Sequence, residues 1–466
     1  MQRVTVVLGH LAARPVGGPA LRAAQCGGVA AGPGRDGEPD DVVVVHGLRT
    51  PIAKAKRGGF KDTTPDELLS AVMTAVLTDV NLSPEKVGDI CVGNVLQPGA
   101  GAFTARVAQF LSGIPETVPL SCVNRQCSSG LQAVINIAGG IRNGSYDIGL
   151  ACGVETMSLR DTGNPGDVSS RMMDNSKARD CLIPMGMTSE NVAERFSISR
   201  KKQDDFAMAS QQKAARAQQM GLFKNEIIPV RTTVKDDQGN QKTITVLQDE
   251  GIRPSTTLEG LAKLKPAFKE NGSTTAGKHS KSMNSYFWIS VLLACSVSHF
   301  VILPVPPALL VTKHAQAKVI LSVKYLPTGN SSQVSDGAAA VLLAKRSKAA
   351  QLGLPVLGVL KSYAVVGVPP DVMGIGPAYA IPVALEKAGL TVNDIDIFEI
   401  NEAFASQVRL PILFNFGFLG CLVAEQNFIL VTTVNVTDLV RGVFNKSLDG
   451  IFIIVSSALE TKLKYV

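Results

Sequence analysis

From residue 41 onward, the chain alternates between two apolar patterns. Valines fill positions 42–45, and a continuous β-branched run of this length is typical of a strand buried on both faces. Similar runs predict strands at 89–94, 118–123 and 146–154. Helical spacing follows the strand at 118–123, with apolar residues at Leu131, Val134, Ile135, Ala138 and Ile141. Strands that alternate with helices favour a parallel α/β sheet.

Two more helices are predicted in this part of the chain. Thr64 can cap a helix whose first residue is Pro65, and Asp66 and Glu67 suit its positive end. Residues 105–111 predict the other helix.

The pattern changes at residue 155. Residues 155–270 are polar and lack the strand–helix alternation, although 201–219 is helical in spacing. We expect a loop-rich insert that lies over the functional site. A second α/β pattern follows at 356–363, 378–388 and 395–400, so the chain is expected to contain a duplicated unit.

Two segments differ from the rest in composition. Residues 282–312 hold no Asp, Glu, Lys or Arg, and 286–303 are nearly all apolar. A membrane span needs about 20 apolar residues, and His299 with the following prolines weakens that interpretation of 286–311. From residue 408 to the end the chain is rich in Phe, Ile and Val without a clear period.

Composition narrows the function classes. Apolar residues make up 45% of the 466 residues and charged residues 18%, which predicts a large core. The net charge of +7 is spread thinly, so a nucleic-acid partner is not indicated. The eight cysteines form no CxxC pair, and neither a metal site nor a disulfide framework is expected.

The first 40 residues are rich in Gly, Ala, Pro and Arg. Arg3, an aliphatic residue, five further residues and then His10-Leu11 resemble the N-terminal peroxisomal targeting signal. On a helix, positions 3, 7, 10 and 11 share one face that an import receptor could bind. A frayed terminal helix without function is the alternative, but the targeting interpretation places the protein in the peroxisome.

Cys127 lies at a predicted strand-to-helix junction. A helix N-terminus favours the thiolate form of a cysteine, and its backbone N–H groups can hold an oxyanion. The small residues at 128–130 leave room for a substrate. This local pattern alone leaves a second interpretation open, in which Cys127 is a buried residue that begins a core helix.

Several motifs resemble those of the thiolase family, and they occur in the family's order. They are NRQCSSG at 124–130, MGMTSEN at 185–191, DEGIR at 249–253, the segment 261–268, SS at 331–332, DGAA at 336–339 and NEAF at 401–404. The resemblance covers about 41–277 and 330–407. Within the family it is greatest to the members that cleave 3-ketoacyl-CoA in peroxisomal fatty acid β-oxidation.

The resemblance implies a fold of two duplicated α/β halves with a loop domain. It also implies that Cys127 is the nucleophile, that Asn401 holds a water for an oxyanion, and that Ser332 and Met185 contact the substrate. CoA would be a substrate and no cofactor would be bound permanently. A homodimer is implied as well.

The sequence departs from the family after Asn401. The family carries a Gly-His-Pro segment, whose histidine activates the nucleophile, and a Cys-x-Gly segment, whose cysteine moves the α-carbon proton. Here no histidine follows His314, and Cys421 is not followed by x-Gly. The alternative to a working acyltransferase is therefore an impaired variant that only binds acyl-CoA or pairs with an intact subunit.

These features divide the chain into six segments. They are a targeting segment at 1–40, the N-terminal half at 41–154, the loop domain at 155–277, an apolar insert at 278–329, an incomplete C-terminal half at 330–407 and a non-family tail at 408–466. The insert interrupts the segment that resembles the family's CoA-side motif, here called the CoA motif. It separates TAG at 275–277 from NSS at 330–332. Such an abrupt change inside a motif favours an alternative transcript or a gene-model error over an evolved domain.

Overall fold

The computed structural model describes residues 38–160, 167–276, 329–395 and 397–408, and the backbone of two later strands. Arg3, His10 and the candidate membrane segment 286–311 lie outside the described residues. Within the described part, none of the helices combines the length and the apolar character needed to cross a membrane.

The strands and helices follow the expected alternation at both ends of the described chain. The strands are β1 Val42–Arg49, β2 Ala53–Lys54, β3 Asp89–Gly93, β4 Leu120–Val123, β5 Ile148–Thr156, β6 Val230–Lys235, β7 Gln241–Val246, β8 Ser335–Lys345, β9 Gly358–Val368, β10 Ile397–Ile400, β11 Phe428–Thr432 and β12 Gly450–Leu459. The helices are α1 Pro65–Asp79, α2 Ala102–Leu111, α3 Ser129–Arg142, α4 Ser176–Asp180, α5 Met185–Arg195, α6 Arg200–Gln219, α7 Leu258–Ala262, α8 Arg346–Gln351 and α9 Gly376–Ala388.

One mixed sheet forms the centre of the molecule, with the strand order β10-β11-β12-β9-β1-β8-β5-β3-β4 and β2 beside β8. β3 pairs in parallel with both β4 and β5. β9 to β12 also form a parallel set. β8 runs antiparallel to both β1 and β5, so the sheet is not the wholly parallel one that the alternation predicted. Apolar periodicity predicts that a strand is buried, but it carries no information on strand direction.

Helices cover the sheet on both faces. Val43 and Val45 of β1 pack into the same core as Leu68 and Val72 of α1. The alternate side chain Val44 packs with Leu131 and other residues of α3 on the opposite face. In the second α/β segment, α9 buries Ala380, Ile381 and Ala384 against β9. This arrangement is the physical reason for the unbroken valine run, because both faces of β1 are buried.

The start of α1 is formed as the sequence predicts. Pro65 is its first residue, and the Thr64 backbone N–H donates to the Glu67 carboxylate at 3.2 Å. That contact satisfies one of the N–H groups that have no partner within the helix.

The region 155–270 contains a hairpin that the sequence did not predict. β6 and β7 form an antiparallel hairpin, with Val230 paired to Val246. Its strands carry few buried side chains, so they lack the apolar pattern by which strands are recognised. The helical spacing at 201–219 is confirmed as α6.

The strands β11 and β12 lie in the segment that was expected to be a non-family tail, and the incompleteness of the second half stays a prediction. Both come from residues beyond 407, yet they occupy the places between β10 and β9 in the sheet. Continuous apolar runs such as FILV at 428–431 are typical of strands covered on both faces, which show no alternating period.

Candidate functional site

Cys127 lies between the end of β4 and the start of α3, as the sequence predicts. Ser128 is the N-cap of α3, and the helix begins at Ser129. The turn before it is tight, because Ser128 N donates to Arg125 O at 3.0 Å and Ser129 N donates to Gln126 O at 3.0 Å. Gln126 has φ 50°, a left-handed conformation that non-glycine residues seldom adopt. The strained turn directs the chain abruptly from the strand into the helix.

Gly93 at the end of β3 allows α3 to begin so close to the sheet. A Cβ at this position would overlap the backbone of Ser129 and Gly130. Asn124 also ties the loop that carries Cys127 to the loop after β3, since its Nδ2 donates to Val95 O at 3.1 Å. The two loops therefore hold each other at the same end of the parallel strands.

A cleft of about 190 Å³ opens beside Cys127. It is lined by all four residues that the family resemblance selected in this part of the chain, namely Cys127, Met185, Ser332 and Asn401. Cys127 packs against the apolar cluster of Met185, Ala403 and Phe404. The structure thus brings together residues that are up to 274 positions apart (401 − 127), although their individual roles stay predictions.

Two chain segments that carry site residues are joined by backbone hydrogen bonds. Ser332 N donates to Ala403 O at 2.8 Å, and Ala405 N donates to Asn330 O at 3.0 Å. Ser331 forms an isolated antiparallel bridge with Phe404 between these bonds. The Ser332 and Asn401 sides of the cleft are consequently fixed relative to each other.

The interrupted CoA motif is reassembled in space. Thr275 N donates to Asn330 Oδ1 at 2.8 Å, and Asn330 N donates to Thr275 Oγ1 at 2.9 Å. A side chain at Gly329 would overlap Thr275, so glycine permits this close approach. Residues 275 and 330 therefore lie side by side although the insert separates them in sequence.

Two carboxyl groups that sequence reasoning did not assign line the cleft, half-buried Glu155 and buried Asp336. Glu155 accepts from Val95 N at 2.9 Å and Leu96 N at 3.1 Å. Asp336 accepts from Ser158 N at 2.8 Å. Burial raises the pKa of Glu155 and the pKa of Asp336. Asp336 belongs to the DGAA motif at 336–339, whereas no motif or residue spacing in the sequence marks Glu155.

The other described cysteines of the N-terminal half have a different environment from Cys127. Burial raises the pKa of Cys122 to about 12 and places the pKa of Cys91 and of Cys152 above the ordinary value. Cys152 is fully buried, whereas Cys127 is partly exposed in the cleft.

A second, larger cleft of about 400 Å³ adjoins the first and shares Ser332 and Asn401 with it. Its outer side is formed by α6, whose Ser210 donates a hydrogen bond to Glu402. Lys54 and Lys213 also line this cleft. The expectation that the region after residue 155 lies over the site is confirmed for α6.

The geometry and the sequence comparisons define the class of protein. The thiolase N-terminal domain family matches residues 42–283, and the thiolase C-terminal domain family matches 354–418. The chain belongs to the thiolase family.

Close relatives are peroxisomal enzymes. The 3-ketoacyl-CoA thiolase A of mouse peroxisomes is 67% identical over 407 residues, covering 87% of this chain and 83% of the relative. The human peroxisomal 3-ketoacyl-CoA thiolase is 66% identical over 88% of this chain and 85% of its own. This chain is accordingly a peroxisomal acyltransferase of the thiolase class.

Solved structures share the fold. The dimeric peroxisomal thiolase of Saccharomyces cerevisiae superposes with a TM-score of 0.67 at 37% identity, covering 90% of this chain and 94% of that one. Human mitochondrial 3-ketoacyl-CoA thiolase gives a TM-score of 0.63 at 29% identity, covering 87% of this chain and 92% of that one.

Proposed function

We propose that this protein cleaves 3-ketoacyl-CoA with CoA, giving acetyl-CoA and a shortened acyl-CoA in fatty acid β-oxidation. The observation that carries the proposal is the position of Cys127. It stands at the N-terminus of α3, in a cleft that also contains Asn401 and Ser332. The high identity to peroxisomal 3-ketoacyl-CoA thiolases supports the same reaction.

The proposed reaction has two covalent steps. The Cys127 thiolate adds to the 3-keto carbon, and the bond between C2 and C3 breaks. The acyl group stays on Cys127 as a thioester, while the acetyl-CoA carbanion takes a proton and leaves. The CoA thiolate then adds to the thioester carbon, and acyl-CoA leaves as the Cys127 thiolate is regenerated.

The larger cleft supports a place for the CoA portion. It reaches Ser332 and Asn401 from the α6 side and carries Lys54 and Lys213, which suit an anionic ligand. We propose that Ser332 contacts the pantetheine arm, that Met185 contacts the acyl chain and that Asn401 holds the oxyanion water.

No Gly-His-Pro or Cys-x-Gly segment follows Asn401 in the sequence, which favours the alternative of an impaired variant. The comparisons support the acyltransferase and give no support to this alternative.

Detection of the acyl-enzyme tests the proposal. The purified chain is mixed with acetoacetyl-CoA, quenched and digested, and the peptide with Cys127 is examined by mass spectrometry. We expect an added acetyl group on Cys127 that is absent in Cys127→Ala and is removed by excess CoA. Acetylation of other cysteines at the same rate would contradict the proposed nucleophile.

We further propose a homodimer. The related yeast structure is described as dimeric. In the described part of the sheet, β4 is the terminal strand, and unpaired strand edges are a place for a second chain to pair. The neighbouring helix α2 exposes Phe103, Phe110 and Leu111. Light scattering of the chain and of F103D/F110D tests this, because the double variant is expected to shift towards the monomer.

The targeting proposal rests on Arg3 and His10, which an import receptor would bind. A fluorescent reporter that carries the first 30 or so residues is expected to enter peroxisomes, and His10→Ala is expected to leave it in the cytosol. Unchanged import of the His10→Ala fusion would contradict the role of this residue.

A further inference from the structure

We infer that Asn330 is a positioning residue. Its hydrogen bonds hold helix α6, the segment 273–275 and the segment 403–405 in one arrangement around the cleft. Asn330 is only 3% exposed, and it is not one of the residues to which the family resemblance gave a role. Its contacts extend to three separate parts of the chain.

Every polar group of Asn330 has a partner. Its backbone N–H and Oδ1 bond to Thr275, and its backbone carbonyl accepts from Ala405 N at 3.0 Å. Its Nδ2 donates to Asp204 Oδ1 at 3.0 Å and to Ser273 O at 2.9 Å. We call Asn330, Thr275 and Asp204 the clasp.

The clasp acts on the cleft through its neighbours. Ser331 Oγ donates to Thr275 O at 2.8 Å, and Ser332 N donates to Ala403 O at 2.8 Å. Phe404, which packs against Cys127, lies between Ala403 and Ala405, the two residues whose backbones bond to Ser332 and Asn330. Loss of the clasp is therefore expected to make both Ser332 and Phe404 more mobile, and so to expose Cys127 further.

The amide of Asn330 is required because Asp204 is a buried carboxyl group. Arg200 Nε donates to Asp204 Oδ2 at 2.7 Å, and Asn330 Nδ2 satisfies the other oxygen. An aspartate at 330 would keep the acceptor for Thr275 N but would place a second carboxylate against Asp204. Like charges buried at this distance repel strongly.

The test is an exchange of the two partners. The variants are Asn330→Asp, Asp204→Asn and the double variant N330D/D204N, which restores an N–H donor facing a carboxylate. One readout is the alkylation rate of Cys127 by iodoacetamide, with fully buried Cys152 as an internal monitor of global unfolding. The other is CoA affinity, measured as protection of Cys127 from alkylation, and only this readout rests on the proposed function.

We expect N330D to alkylate at Cys127 at least about fivefold faster and to bind CoA about tenfold more weakly, as loss of a buried hydrogen bond predicts. Cys152 should stay protected, and D204N should change both values less than N330D, because it weakens the contact with Arg200 but brings no like charges together. The double variant should lie closer to D204N than N330D lies to the parent, although Ser273 O still lacks the donor that Asn330 gave it. If N330D does not fold, the double variant is compared with D204N alone.

Three results would overturn the inference. N330D could leave the Cys127 rate within twofold of the parent, or it could expose Cys127 and Cys152 together. The third is a folded double variant whose Cys127 rate lies as far above that of D204N as the rate of N330D lies above the parent. A parent chain whose Cys127 is not protected by CoA would instead count against the proposed function, and the comparison of Cys127 with Cys152 would still judge the clasp.

Discussion

At the scale of single residues, the site depends on one cysteine and the turn that presents it. Gln126 adopts a left-handed conformation directly before Cys127, and Gly93 leaves the space that the start of α3 needs. The cysteines of β3, β4 and β5 lie within strands of the same half of the molecule and not at a helix N-terminus. The chemical difference between them is therefore set by position, since the side chains are identical.

The first prediction concerns this difference. Near neutral pH, Cys127 is expected to be the most rapidly alkylated of the described cysteines, because a helix N-terminus favours the thiolate and the cleft gives access. Cys122 has a pKa of about 12, so it should remain a protonated, slowly reacting thiol in the same solution. Labelling with limiting iodoacetamide followed by peptide mass spectrometry ranks the sites.

Cys91 and Cys152 are the matched controls, as burial raises the pKa of each. If Cys127 reacts no faster than either of them, the helix-terminus interpretation fails.

At the scale of elements, a buried ion cluster attaches the loop region to the sheet. Arg49, the last residue of β1, is fully buried and donates through Nε to Glu226 at 2.7 Å. Its other nitrogens bind both oxygens of Asp249, at 2.7 and 3.0 Å. Asp249 belongs to the DEGIR motif, so the motif has a structural task in addition to any functional one.

The second prediction follows from this cluster. Arg49→Met leaves two buried carboxylates without their cation, and we expect a loss of about 3–5 kcal/mol of unfolding free energy. Urea denaturation measures the loss. Neutralising the carboxylates in R49M/E226Q/D249N should recover a large part of it.

Arg195 provides the control for the second prediction. It pairs with Asp371 at 2.6 Å but is half exposed, so Arg195→Met should cost at most about 1 kcal/mol. Equal losses for the two arginine variants would show that burial is not the deciding factor.

At the scale of the whole molecule, distant segments of the chain converge on one cleft. Thr275 and Asn330 bond reciprocally across the insert, and Glu190 of α5 accepts from Ser273 N and Thr274 N at 2.8 Å each. The two parts of the motif are therefore adjacent in the fold although the insert separates them in the sequence.

The third prediction tests this property. After deletion of 277–328, Cys127 is still expected to be the most rapidly alkylated of the described cysteines. The reason is that the described contacts of residues 273–276 and 329–332 all remain. A control deletion of 273–328 also removes Ser273 and Thr274, leaving the buried Glu190 carboxylate without those donors. The control should be much less soluble. A first deletion that behaves like the control would mean that the insert itself holds the site together.

The fourth prediction concerns turnover. A general acid–base group typically supplies about 10²–10⁴-fold, and one oxyanion donor supplies about 10²–10³-fold. The chain lacks the Gly-His-Pro histidine and the Cys-x-Gly cysteine, so we expect thiolysis at least about 10⁴-fold slower than in an intact thiolase, or on the order of 5 kcal/mol of barrier. Slow acylation of Cys127 is expected to remain.

Loss of the enolate absorbance of acetoacetyl-CoA with excess CoA measures the rate. A rate within tenfold of the intact human relative, abolished by Cys127→Ala, would show that another group replaces the missing histidine.

The sequence by itself determined the elements whose signal is local. The valine run at 42–45, the capped start at Thr64 and the strand-to-helix junction at Cys127 were all predicted, because burial on both faces, helix capping and turn chemistry act over a few residues. The motifs also selected Met185, Ser332 and Asn401, although their spacing gives no physical reason for them to meet.

Only the tertiary structure decided what depends on contacts between distant residues. The antiparallel direction of β8, the hairpin of β6 and β7, the half-buried Glu155 and the clasp at Asn330 leave no periodic trace. Apart from the hairpin, whose strands are neighbours in the chain, each is fixed by distant partners, such as Asp204, which lies 126 residues before Asn330. Local patterns report how one residue meets solvent or core, whereas the geometry of this site arises from which segments pack together.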